Sequence, residues 1–259
     1  MLFGETMIIA PLLVKIYEGD QLSHTEQNAV QQTLVAHNVS LYEAVSLNIW
    51  SDNSHVIQEQ IRHGNTYRYV SHTLDTLANQ LCHKKHNDAD IKSVLDALQD
   101  MCYKNQALPE LYAIGRKIAV PGSTASVLSA IRKIHIAIHA EDIAAHIYNA
   151  IQKNPLTNDI IVYRAIHGHT IVPSTMNYGF VSTALTKEAS FIKYPGYNML
   201  FELKVPAGMH CIDVTPFSNY DIVESEILLP PNVIEITDSY TNGVYTQLNG
   251  IVHEIEEFA

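Results

Sequence analysis

The hydrophobic period of the chain changes near residue 155, and that change limits the fold more than any single motif does. Before it, apolar residues recur at spacings of three and four, as in helices that bury one face. Segments 24–36, 40–50, 66–83, 89–104 and 141–152 carry this pattern, with Ser40 and Asp88 placed as N-caps. The break falls at Asn154-Pro155, because proline disfavours helix at the residue before it. After it come short segments rich in Val, Ile, Phe and Tyr, at 160–166, 179–183, 198–205, 209–214, 225–230, 232–237, 243–248 and 251–258. A short helix near 187–193, capped by Thr186, interrupts them. Asn242-Gly243 and Asn249-Gly250 read as hairpin turns. Helices followed by strands predict an α+β protein. The expected division is a mainly helical region over 1–110 and a core over 111–259, as one integrated domain or as two.

Composition removes several function classes. The chain holds 16 basic and 27 acidic residues, a net charge of −11, which is the opposite of a nucleic-acid-binding face. The same charge argues against docking on anionic membranes, and no run reaches the roughly 18 apolar residues of a membrane span. Three cysteines cannot complete a disulfide framework, so a reducing, cytosolic site of action is expected. Glu5 and the lack of a basic leader argue against a cleavable signal peptide. There is no GxGxxG, GxxxxGK[ST] or GxSxG. Cys82, His83, His86 and Cys102 lack the tight paired spacing of a structural zinc site. His135, His139 and His146 lack the glutamate of HExxH and read as helix surface, and His167 and His169 flank Gly168 after a strand. No metal is expected.

Three other features are ordinary singly. Arg164 interrupts the apolar strand IIVYRAI, where a guanidinium needs an anionic partner: an internal carboxylate, or a phosphate that its planar fork would fit. Ser182-Thr183 ends a short strand eighteen residues later and by itself reads as a strand end. Glu224 and Glu226 open the strand SEILLP after the loop TPFSNYDIV. Strand alternation would put both carboxylates on one side with Ser225 pointing away, and like charges side by side cost energy unless something uses them.

In this order and spacing the three resemble the R-S-E class of mono-ADP-ribosyltransferases, most of all the arginine-specific ExE members among bacterial toxins and effectors. The family's YRG is Tyr163-Arg164-Ala165 here, its F-x-STS is Phe180-Val181-Ser182-Thr183-Ala184, and its ExE is Glu224-Ser225-Glu226. Ala165 and Ala184 depart from the family's glycine and last serine. The resemblance covers about residues 140–240. It implies two packed antiparallel sheets forming an NAD+ cleft, with NAD+ as co-substrate, and a protein target bearing an acceptor arginine. It implies that Tyr163, Arg164, Ala165, Ser182, Thr183, Phe191 and Glu226 hold NAD+, with Tyr194 the rival of Phe191 for stacking on nicotinamide. Glu226 would stabilise the cationic ribose, Ser182 would fix Glu226, and Glu224 would receive the acceptor. Phe217 and Tyr220 fall in the loop that the family uses for target recognition, where plain anchoring is the other reading. Water as acceptor, in an NAD+ glycohydrolase, and a non-catalytic interaction module are the alternatives. A secreted effector acting inside a host cell, or a phage enzyme, fits the cysteine usage. The tail HEIEEFA resembles glutamate-rich secretion signals, although an acidic last strand is the preferred reading.

Overall fold

The computed structural model describes residues 7–102, 107–168, 174–192, 196–219 and 225–255. Its helices are α1 (Ala10–Glu18), α2 (His24–Ala36), α3 (Leu41–His63), α4 (Thr66–His83), α5 (Asp88–Cys102), α6 (Leu108–Ile118), α7 (Thr124–Ile138), α8 (Ala140–Gln152) and α9 (Lys187–Ile192). Its strands are β1 (Ile160–Ile166), β2 (Ser174–Asn177), β3 (Val181–Ala184), β4 (Met199–Val205), β5 (Ile212–Asp213), β6 (Glu226–Leu229), β7 (Asn232–Thr241) and β8 (Thr246–Glu254). The α+β expectation therefore holds. Among the described residues no helix is long and apolar enough to cross a membrane.

Packing divides the chain into a sheet unit (Met1–Ala10, Ala29–Asp52, His146–Ala259) and a helical unit (Pro11–Asn28, Asn53–Ala145). This differs from a boundary at residue 110. Residues 29–52 go with the strands, and α6 and α7 go with the helices. In the helical unit α4 buries Val70, Leu77 and Leu81 at helical spacing, and α7 buries Val127, Ile131 and Ile134.

Helix starts follow local hydrogen bonding. Ser40 and Glu43 cap α3 reciprocally, with Glu43 Oε2 accepting from the Ser40 amide at 2.7 Å and Ser40 Oγ from the Glu43 amide at 3.3 Å. The cap of α5 is Asn87, whose Oδ1 accepts the Asp90 amide at 2.8 Å; Asp88 is already helical. Ahead of α9, Thr186 Oγ1 accepts the Ala189 amide at 3.2 Å, as expected of a cap. Inside α3, Asn53 leaves helical geometry (φ −135°, ψ 23°), and the chain passes there from the sheet unit to the helical unit.

The strands form one 8-stranded sheet in the order β2-β7-β8-β4-β1-β3-β6-β5, which corrects the expectation of two antiparallel sheets. Neighbours are antiparallel except β4 and β8, which run parallel. The ladder is thin at one point, since β1 and β3 share the single registered pair Tyr163↔Ala184. Val162, Val181, Leu203, Ile227, Leu229 and Val252 are among the side chains of the sheet's core. Asn242-Gly243 does make the β7–β8 turn, with Gly243 at φ +85° and the Asn242 amide bonded to the Tyr245 carbonyl at 3.2 Å. Asn249-Gly250 is not a turn but the middle of β8. A Cβ on Gly250 would lie 2.8 Å from the Glu235 carbonyl oxygen, beside the register shift between Ile236 and Asp238. Glycine there permits close backbone approach at a bulge.

Candidate active site

The thin point of the sheet collects the chemistry-bearing residues. Arg164 lies on β1, Ser182 on β3 and Glu226 at the first position of β6. Antiparallel pairing sets Ser182 opposite Leu228 and Ala184 opposite Glu226, so Ser182 and Glu226 are diagonal neighbours on one face. Ser182 Oγ donates to Glu226 Oε1 at 2.5 Å. Arg164 donates from an Nη atom to the Ser182 carbonyl at 2.9 Å, adding a cross-strand bond where the ladder offers one registered pair. Thr183 points the other way and donates to the Ile227 carbonyl at 2.7 Å. Tyr163 and Ala165 flank Arg164, half-buried on β1. Burial, with help from the Glu202 carboxylate, pushes the Tyr163 hydroxyl above its usual pKa.

Sequence reasoning missed one member of this cluster. Trp50, the chain's single tryptophan, is fully buried on α3 and donates its indole N–H to Glu226 Oε1 at 3.3 Å. Its ring packs edge-on against Phe180, with centroids 5.4 Å apart. One carboxylate oxygen thus accepts from two side chains on different elements, which fixes the Glu226 rotamer from two directions. The available signal was a lone Trp inside a helical segment otherwise free of aromatic residues after Tyr42, but nothing local joins it to a glutamate 176 residues away.

Ser225 corrects the alternation argument. Its φ is +37°, in the left-handed region rather than extended, and β6 begins only after it. The geometry that would put Glu224 and Glu226 on one strand face is therefore absent at the residue between them. Glu224, Tyr220, His169 and Tyr194 lie outside the described residues, as does the side chain of Phe191 on α9. Phe217 is fully buried, with the His37 ring edge-on at 5.6 Å, so its side chain anchors the loop.

Among the described residues no three His, Cys, Asp or Glu side chains gather closely enough to hold a metal. Cys82 is exposed and Cys211 buried. His135 and His139 have ring centroids 4.4 Å apart in the helical unit, and His135 Nδ1 is buried without a hydrogen-bond partner. Burial first, then the neighbouring His139, lowers the His135 pKa from 6.5 to about 4. An unfolded chain takes up this proton below about pH 6.5, whereas the folded one resists until about pH 4. The neutral form's contribution is therefore complete above pH 6.5 and is lost as pH falls toward 4. We expect stability to drop by about 3 kcal/mol over that window. Denaturant midpoints at stepped pH check this, and a His135→Leu variant should show the flatter profile.

Residues 173–254 match the sequence model of the ADP-ribosyltransferase exoenzymes. The segment is similar to the ADP-ribosyltransferase exoenzymes, over less than half of the chain. The match spans Ser182, Glu224 and Glu226 and begins after Arg164. No curated protein matches the chain. Among solved structures, the C3 exoenzyme of Clostridium limosum is similar at 15% identity, covering 92% of this chain and 100% of that one, with a TM-score of 0.45. Plx2a, an ADP-ribosyltransferase toxin from Paenibacillus larvae, is 15% identical, with 74% and 96% covered and a TM-score of 0.37. C3stau2 from S. aureus, solved with NAD, is 14% identical, with 70% and 95% covered and a TM-score of 0.38.

Proposed function

We propose that the protein is a mono-ADP-ribosyltransferase that moves ADP-ribose from NAD+ to an arginine side chain of a target protein, as an effector acting in a host cytosol. The observation that carries this reading is Glu226, held through one oxygen by Ser182 and Trp50 inside a segment similar to the exoenzyme family. In NAD+ the bond between ribose C1′ and the nicotinamide nitrogen breaks heterolytically. Nicotinamide leaves neutral with the electron pair, and C1′ becomes oxocarbenium-like, as in glycoside cleavage. A fixed carboxylate beside that carbon stabilises the developing positive charge without reorganising at the moment of reaction. Ser182 supports this role by fixing the rotamer. Arg164, beside the Ser182 carbonyl, supplies a planar cation of the geometry that a diphosphate accepts. A guanidine nitrogen of the acceptor then bonds to C1′ and loses a proton, which Glu224 would take and pass to water.

The arginine preference rests on the Glu224-x-Glu226 spacing. Incubation with adenylate-labelled NAD+ and a protein lysate should give labelled protein bands whose linkage is cleaved by neutral hydroxylamine. A Glu224→Gln variant should lose those bands while slow hydrolysis of NAD+ by water continues. Free ADP-ribose without labelled protein would replace this reading with a glycohydrolase, and label mapped only to other side chains would overturn the arginine preference.

A further inference from the structure

We infer that the first part of α3 is a rail for residues 217–219, which precede the Glu224-x-Glu226 motif in the chain, with Asn48, Asp52 and Asn219 as positioning residues for the protein acceptor. This rests on the transferase reading above. Asn48, Ser51 and Asp52 share one helix face by their spacing of three and four. Asn48 is fully buried and donates its amide to the Phe217 carbonyl at 2.7 Å and to Asn219 Oδ1 at 3.3 Å. Asn219 in turn donates its amide to Asp52 Oδ2 at 2.6 Å, and its backbone N–H reaches Ser51 Oγ at 3.5 Å. The chain thus leaves the buried Phe217 with the Phe217 carbonyl and the Asn219 side chain tied to one helix. Downstream the same helix holds Glu226 through Trp50.

Asparagine is a poor residue for a helix interior, and a fully buried carboxamide is costly unless its donors and acceptor are used. Asn48 spends its donors on the loop rather than on its own helix. Satisfying the buried Phe217 carbonyl explains Asn48 by itself, but it does not explain Asn219 and Asp52. Their bond lies at an exposed position, where it adds little to global stability. It does restrict the residue five positions before Glu224. NAD+ cleavage needs Glu226, and neither the Ser182 bond nor the Trp50 bond to it involves Asn219 or Asp52, so the Asn219–Asp52 bond bears on delivery of the acceptor and not on cleavage of the co-substrate.

The test is a double-mutant cycle of Asn219→Ala and Asp52→Ala in the full chain, reading protein labelling and NAD+ hydrolysis side by side. Losing one hydrogen bond should lower kcat/KM for the protein acceptor by roughly 3- to 10-fold in each single variant. The double variant should be no worse than either single, because one bond is removed in all three. NAD+ hydrolysis should stay within about twofold. Amide exchange at 217–219 should quicken in Asp52→Ala while exchange in 41–50 holds, which reads the rail without any catalysis. Unchanged exchange, additive losses, or hydrolysis falling in step with labelling would overturn the inference. Exchange that quickens as expected in a protein that labels nothing would instead overturn the transferase reading, and with it the acceptor role given to the rail.

Discussion

Glu226→Gln is expected to lower NAD+ cleavage and protein labelling together, by about 10²–10³-fold. Glutamine keeps the shape of the side chain and an oxygen able to accept from Ser182 and Trp50, so the substitution isolates the charge. What remains is a neutral dipole beside a carbon that becomes cationic. Both reactions pass through that carbon, whether water or a guanidine attacks it, so both must fall. Nicotinamide release followed by chromatography measures the first and labelled bands the second, with far-ultraviolet circular dichroism confirming that the variant is folded. A variant that retains most of its NAD+ cleavage would remove Glu226 from the chemistry and leave the Ser182–Glu226 bond as a plain cross-strand contact.

The parts of the fold that were legible are those where local pattern and final environment agree. The run IIVYRAI is β1 to the residue, and α4 occupies 66–83 as its apolar spacing requires. Asn242-Gly243 turns because residue 243 needs positive φ. Asn249-Gly250 carries the same dipeptide signal, yet its glycine answers a tertiary demand, room for the Glu235 carbonyl. The edge strand β2, Ser174–Asn177, has the sequence STMN and no apolar alternation to announce it. The stretch from Thr124 to Ile138 is crowded with isoleucine and alanine, so its helical period was obscured until packing revealed α7. Strand partners were out of reach as well. Residues 198–205 read as a strand, but nothing in them says that β8 will return parallel to β4.

The site divides in the same way. Arg164, Ser182 and Glu226 could be ordered along the chain because each sits on a strand of its own with a short motif around it. The helix side could not be read, because Trp50, Asn48 and Asp52 belong to a segment whose pattern speaks only of amphipathic packing. Ser225 shows the limit from the other direction. Periodicity made it an ordinary strand residue, whereas its left-handed φ marks a change of direction at the point where the motif enters β6.

Trp50 is the other position where one substitution should have a large effect, and two variants separate its roles. Trp50→Ala empties a fully buried site beside Phe180 and should cost about 3–5 kcal/mol of stability, enough to unfold much of the protein near physiological temperature. Trp50→Phe keeps an aromatic ring against Phe180 and removes the N–H that reaches Glu226 Oε1. It should remain folded, with a modest loss of stability, and lower the rate of NAD+ cleavage by roughly tenfold, the scale of one hydrogen bond to a charged group. Thermal melts and initial rates of nicotinamide release give both numbers. The tryptophan emission of the unmodified protein arises from Trp50 alone and should respond to NAD+ titration if the co-substrate settles against Glu226. A Trp50→Phe variant with an unchanged rate would show that the Trp50 N–H is not needed to hold the carboxylate. It would leave Trp50 as packing beneath the site rather than part of the machinery that aims Glu226.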